Sequence, residues 1–323
     1  MARFKISKSY FGEFEEYTVK NLETHESFKV VSGFGCNLRE LSLKSGIHVH
    51  SLIHGHVIPS KLRKKYSTCA MLTPFTGRIP DGVYSFQDQK YQLEINKPKE
   101  NVAIHGLVYD KPFSLVEKIV TNDSVSLHFE YLIKEDMFHG YPFNLLLKKI
   151  FTFSDRGLEI STEAKNVGSS RLPFGDGWHP HFSLGNNLGN KIDDLVLELR
   201  AKSIYNNTRR KVVSSKKHLP KSSKYNTGNG VIGKRVFDNC YTDVVRDKDG
   251  YGEASLYHEG LKMVLWFDSS YNYIQIYTPD DRKSIAIEPM TSTSNSFNNK
   301  NGLIVLGPGD EFKGKYGIYL ESH

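Results

Sequence analysis

Ser124-Val-Ser-Leu-His-Phe-Glu-Tyr-Leu-Ile133 sets Val125, Leu127, Phe129, Tyr131 and Ile133 at every second position. A period of two puts all five side chains on one face of an extended chain, the pattern of a half-buried strand. The alternation recurs at Leu158, Ile160, Thr162 and Ala164, ahead of a turn at Asn166–Ser169. It recurs again at Leu195, Leu197 and Leu199, and at Met263, Leu265 and Phe267. Nearer the N-terminus, Tyr17–Asn21, Ser27–Val31 and Phe34–Leu43 also read as strands between turn residues. No amphipathic helix longer than about two turns emerges, against a usual mean of about three. The chain is expected to be all-β with many strands.

Composition supports that reading. The 323 residues include 19 Phe, 18 Tyr and 26 Gly, a balance that suits sheets and turns. That length allows one large all-β domain or two ordinary ones; with no domain linker or internal repeat in view, one domain over 1–323 is expected. The net charge of +7 is modest for the size and its cations are scattered, which argues against nucleic-acid binding. The exception is 200–235, where Arg209-Arg210-Lys211 and Lys216-Lys217 lie among Ser, Asn and Gly. A long loop or hairpin over the sheet, with a solvated basic face, is expected there. Three widely spaced cysteines, Cys36, Cys69 and Cys240, show no disulfide or zinc spacing and point to a reducing, cytoplasmic setting. Residues 1–19 alternate aromatic and charged types and read as neither signal peptide nor membrane anchor.

Five stretches carry residues suited to chemistry. In Pro173-Phe-Gly-Asp-Gly-Trp-His-Pro-His-Phe182, Gly175 and Gly177 are expected to take backbone angles closed to other residues. Pro180 biases His179 to an extended conformation beside Trp178, aiming an imidazole that can transfer protons near neutral pH. In Leu72–Gly82, Arg78 sits among turn formers and could fork onto vicinal hydroxyls, or simply pin its loop. His105 follows the apolar Val102-Ala-Ile104 and should mark a strand end, where a structural histidine is the commoner occupant.

Glu288 ends the apolar strand around Ile285 and Ile287, opposite their face. Partial desolvation there would raise its pKa and make it a useful base. Tyr273, Gln275 and Tyr277 share one face of the preceding strand, an aromatic plane on which a sugar ring can lie. Asp238 could accept hydrogen bonds from hydroxyls. His48, His50, His54 and His56 could in principle gather round a zinc, although surface or strand histidines explain them better.

Taken in order, these segments resemble the aldose 1-epimerase (galactose mutarotase-like) family. The likeness begins in Gly33–Leu41 and runs through Pro74–Ile79, Ala103–Leu107, Tyr141–Phe143, Pro173–Leu184 and Ile287–Asn298 to Leu306–Asp310. Its most specific elements are the His-Pro-x-Phe and Glu-Pro-Met-Thr segments. The resemblance implies a large β-supersandwich with a concave sugar-binding face.

It also implies aldose 1-epimerase activity, with Glu288 as general base and His179, as imidazolium, the general acid. His105, Arg78, Asp238 and Tyr277 would hold the sugar. No metal or organic cofactor is implied; the expected partner is a small sugar, with no membrane or nucleic acid, for a monomer or homodimer. Two positions depart from the family pattern. Gly77 stands where many members have Asn, and His181 stands where Tyr is usual, which leaves the sugar preference open. A hexose-phosphate 1-epimerase and a non-catalytic carbohydrate-binding protein on the same scaffold are the alternatives, followed by a metal enzyme built on the 48–56 histidines.

Overall fold

The computed structural model describes residues 2–64, 67–184, 192–227 and 230–322. Strands dominate, and the helices among the described residues are single turns such as Ser60–Lys64 and Ser296–Asn299. The stretch Ser124–Ile133 is a strand over those same residues, with Val125, Leu127, Phe129 and Ile133 buried. It belongs to an eight-stranded antiparallel sheet. The order is Ser114–Val120, Ser124–Ile133, Leu145–Ser154, Gly157–Asn166, Glu311–Ser322, Leu261–Phe267, Gly252–His258 and Val196–Leu199. The expected alternating runs at 158–164, 195–199 and 263–267 fall on strands of this sheet, except that Leu195 lies one residue ahead of the Val196–Leu199 strand.

A five-stranded sheet of the first 51 residues packs across it. The contact is aromatic: Phe28 stacks on Phe151 with centroids 6.0 Å apart, and Tyr17 meets Phe129 edge-on at 5.5 Å. Offset and edge-on pairs of this kind favour one relative placement of the sheets as well as burying apolar area.

The third large sheet, of six strands, carries three of the six residues expected to do chemistry, Asp238, Tyr277 and Glu288. Its order is His181–Phe182, Ile285–Met290, Tyr273–Tyr277, Asp238–Val244, Ala201–Asn207 and Val213–His218. Ile274 and Ile276 are buried while Tyr273, Gln275 and Tyr277 lie on the other, half-buried face, as the alternation requires.

Three expectations are corrected. The strand Phe4–Phe11 is missing from the sequence reading, because its interior positions are half-buried or exposed and give no apolar period. The strand expected from Phe34 begins at Asn37, since Gly35 (φ +63°) and Cys36 (φ +52°) turn the chain first. The basic 200–235 stretch, expected as a long loop or hairpin over the sheet, does begin with a hairpin, but that hairpin is part of the sheet and not laid over it. It comprises Ala201–Asn207 and Val213–His218, the last two strands of the six-stranded sheet, and residues 228 and 229 lie outside the described residues.

Candidate active site

Segment 175–179 is held on both sides by backbone. On one side, Gly177 bridges Met290 and Trp178 N donates to Pro289 O (3.1 Å). On the other, His179 N donates to Ala70 O and Cys69 N to His179 O, both at 2.9 Å. This ladder sets His179 beside Glu288.

The reason for the glycines differs from the one expected. Neither Gly175 nor Gly177 has a positive φ; both are pressed by neighbours. A Cβ on Gly177 would lie 3.0 Å from Thr76 Cγ2 and 3.1 Å from Met290 Cγ, and one on Gly175 would lie 2.7 Å from Ser292 Oγ. Close packing against Thr76, Met290 and Ser292 leaves little room for a side chain at either position. Trp178 also departs from expectation: it points into the core, stacked on Tyr316 at 5.4 Å. The rings around His179 are instead His181, stacked at 5.0 Å, with His105 and Tyr277 edge-on at 5.2 and 6.3 Å.

All six residues singled out from the sequence, Arg78, His105, His179, Asp238, Tyr277 and Glu288, line one cleft of about 160 Å³. The route each takes to it can be traced. Arg78 opens the Arg78–Pro80 strand, paired with Ile104 across a two-stranded ladder, and His105 follows directly. Gly77, before the arginine, has φ +62°, a left-handed conformation open to glycine and tolerated by asparagine, the residue that the family pattern has there. His105 itself is left-handed at φ +65°, an uncommon conformation for a non-glycine residue that tends to occur where a side chain must be aimed. Glu288 lies directly across from Gln275 in the ladder, and Asp238 across from Tyr277.

His179 Nε2 stands 3.5 Å from Glu288 Oε1, with both side chains almost wholly buried. Burial, then the neighbouring Asp238 carboxylate, pushes the Glu288 carboxyl well above the ordinary range, against a smaller opposing pull from Arg78. Burial, then His105, holds the His179 imidazole well below its ordinary value. His105 falls to about 3, chiefly through burial and then Arg78 and Lys97. Both shifts favour the proton of the pair on Glu288 over His179. Burial thus opposes the imidazolium form expected of His179 as general acid, and that burial is a property the sequence does not show.

Partners of the remaining groups were not legible in sequence. Arg78 Nε donates to Glu100 Oε2 (3.1 Å), and Lys97 Nζ reaches Glu100 Oε1 (2.7 Å). Asp238 accepts from Gln275 Nε2 (3.0 Å) and pairs with Lys211 Nζ (2.9 Å). Lys97, Lys211, Gln275 and Cys240 line the cleft without having been singled out for it. Gln275 had a signal in its shared face with Tyr277, and Lys211 in the basic run; Lys97 had none. His181 stays behind His179, with Nδ1 3.1 Å from Ser284 Oγ. Of the four clustered histidines, His48 and His50 stand on a strand of the five-stranded sheet, while His54 N donates to His181 O (2.8 Å). Among the described residues no group of three or more His, Cys, Asp or Glu is arranged to hold a metal ion. Among the described residues no helix is long and apolar enough to cross a membrane.

An open, all-β sandwich with a buried His–Glu pair under a polar cleft defines a galactose mutarotase-like fold. The chain belongs to the aldose 1-epimerase family, whose sequence model matches residues 20–319. The uncharacterized protein YihR of Escherichia coli strain K12 is 25% identical over 252 residues, 77% of this chain and 78% of that one. A galactose mutarotase-like protein from Clostridium acetobutylicum superimposes with a TM-score of 0.85 at 20% identity, covering 99% of this chain and 98% of that one. Galactose 1-epimerase from Lactobacillus acidophilus gives 0.79 at 15% identity, over 100% and 99%.

Proposed function

We propose that the chain is an aldose 1-epimerase in which Glu288 and His179 exchange protons with the sugar. The observation that carries this is the 3.5 Å approach of the two groups at the floor of the cleft. With the cyclic sugar bound and the shared proton on His179, Glu288 takes the proton of the C1 hydroxyl while His179 gives its own to the ring oxygen. The C1–O5 bond breaks and an open-chain aldehyde forms. The pair then holds its proton on Glu288, the state that burial favours. After rotation about C1–C2, His179 takes the proton of the 5-hydroxyl as it attacks the other carbonyl face. Glu288 returns its proton to the carbonyl oxygen, giving the opposite anomer. One proton shared by two side chains serves both directions, and each transfer is typically worth about 10²–10⁴ in rate. Arg78, His105 and Asp238 hold the hydroxyls, and Tyr277 lies against the ring.

Polarimetry of fresh α-glucose and α-galactose tests this. Acceleration by the wild type that vanishes in Glu288→Gln supports it. Binding of sugar by calorimetry without acceleration favours a carbohydrate-binding protein on the same scaffold.

One observation favours a second substrate class. Arg78, Lys97 and Lys211 converge on the cleft, and Lys211 comes from the basic hairpin. Cations there suit an aldose carrying an anionic group, such as a hexose phosphate. Exchange of α- and β-glucose 6-phosphate signals by NMR, faster than that of glucose, would select this reading.

A further inference from the structure

We infer that Asp176, which lies outside the cleft, is the residue that positions the site, tying to one carboxylate the separate segments that carry its side chains. This rests on the proposed roles of His179 and Glu288. Asp176 is fully buried. Its Oδ1 accepts from Thr73 Oγ1 (2.5 Å) and Lys149 Nζ (2.7 Å); its Oδ2 accepts from Thr162 Oγ1 and Tyr271 OH, both at 2.9 Å. Lys149, equally buried, also donates to Thr162 Oγ1 (2.7 Å).

The partners are distributed in a telling way. Lys149 and Thr162 stand on neighbouring strands of the eight-stranded sheet, so the ion pair anchors the segment before His179 to the opposite layer. Thr73 belongs to the segment leading to Arg78, and its carbonyl accepts from Leu107 N (2.8 Å), two residues beyond His105. Thr291, three residues past Glu288, is clasped by the Asp176 backbone. Asp176 N donates to Thr291 Oγ1 (2.9 Å) and Thr291 N to Asp176 O (2.8 Å). Tyr271 precedes the strand that carries Gln275 and Tyr277.

Two considerations separate positioning from simple cohesion. A buried ion pair is no more stabilising than well-packed apolar side chains of the same volume, so stability alone is a weak reason for one here. More directly, His179 Nδ1 and His105 Nδ1 are buried with no hydrogen-bond partner. No second side chain aims either ring through that nitrogen. Their placement depends on the backbone segments that Asp176 holds in register.

The test uses Asp176→Asn/Lys149→Met, which removes both charges together and keeps an amide at 176, and Thr73→Val, which deletes one hydrogen bond without changing charge. Anomer exchange of the best sugar is measured well below each variant's Tm. Nitrogen-15 spectra of histidine-labelled, ligand-free protein are recorded alongside, with the His179 ring signals assigned by their loss in His179→Gln. A misplacement of even 1 Å can cost ~10² in rate, so kcat is expected to fall about tenfold or more in the double variant, with KM within about threefold. Thr73→Val is expected to lose kcat in the same direction, and the His179 ring signals are expected to move in both. Lower Tm with wild-type kcat, or with unmoved ring signals, overturns the proposal. Should the double variant not fold, Thr73→Val decides by the same criteria. Should the wild type epimerise no aldose, it is the assigned reaction that fails, and the ring signals alone decide whether Asp176 positions His179.

Discussion

His179 Nε2 and Glu288 Oε1 face each other across 3.5 Å, on segments that are 109 residues apart in sequence and adjacent in the backbone ladder. Their environments push their proton affinities in opposite directions, the carboxyl up and the imidazole down, which favours a single proton shared by the pair. A shared proton is what an epimerisation that runs both ways requires.

Removing either partner should abolish the exchange without abolishing the fold. Glu288→Gln and His179→Gln are each expected to lower kcat by about 10²–10⁴, with thermal unfolding still cooperative. Single-variant losses that multiply in the double variant would argue against a shared proton, since groups acting as a unit are not additive.

The pH profile of kcat/KM follows from the same pair. Burial keeps His179 from taking a second proton until well below its ordinary value of 6.5, and keeps Glu288 from losing the shared one until well above 4.5. The active singly protonated form therefore persists through the range where an exposed histidine titrates. Rates measured from pH 5 to 8 should show no inflection near 6.5. An acid limb centred at 6.5 would mean that His179 meets solvent.

Much of this was legible in the sequence, for definite reasons. Strands with one face on the core announce themselves by alternation, and Ser124–Ile133 does so residue for residue; Phe4–Phe11, largely outside the core, announces nothing. The six cleft residues could be picked out because each sits beside Gly, Pro or a strand end. Their partners could not. Glu100 reaches the site through its pairing with Arg78, 22 residues away, and brings Lys97 with it, an arrangement that no local pattern encodes. Nor could the resting charge state be read, because it depends on burial, a property of the assembled sheets.

Glu288 should also leave a mark on stability. Its folded-state proton affinity is raised above the ordinary 4.5. The folded chain thus binds the more tightly held proton, and the associated stability is full below pH 4.5 and lost as pH rises towards the folded value. Glu288→Gln has no such dependence. The Tm of the variant relative to wild type should climb between pH 5 and pH 8, by about 2–4 °C for each kcal/mol involved. A constant difference would show that Glu288 is ionised in the folded protein.

Arg78 offers a test of recognition as distinct from chemistry. Its guanidinium is held at the cleft by Glu100, and its backbone N–H donates to Ser294 Oγ at 2.8 Å. Arg78→Lys keeps the charge and loses the planar fork, so it should bind hydroxyls less well while leaving the proton pair untouched. Loss of a charge-assisted hydrogen bond of about 1.5–3 kcal/mol predicts a fall in kcat/KM of about 10–100-fold, carried mainly by KM. Steady-state polarimetry across sugar concentration separates the two constants. A fall carried by kcat instead would bring Arg78 into the chemistry.

The backbone that carries His105 leaves no room for a single methyl group at Gly106. Gly106 has φ +78°, and a Cβ there would lie 2.2 Å from the carbonyl oxygen of Thr73. That carbonyl accepts from Leu107 N, so it cannot retreat without breaking the link between the Arg78 and His105 segments. Gly106→Ala therefore combines a left-handed conformation, costing roughly 1–3 kcal/mol, with a backbone overlap. Urea unfolding should show a lowered midpoint at an unchanged slope, and the folded fraction should exchange anomers more slowly because His105 has shifted. A midpoint equal to wild type would mean that the Thr73 carbonyl can yield, and that the close approach at Gly106 is not what fixes His105 over the cleft.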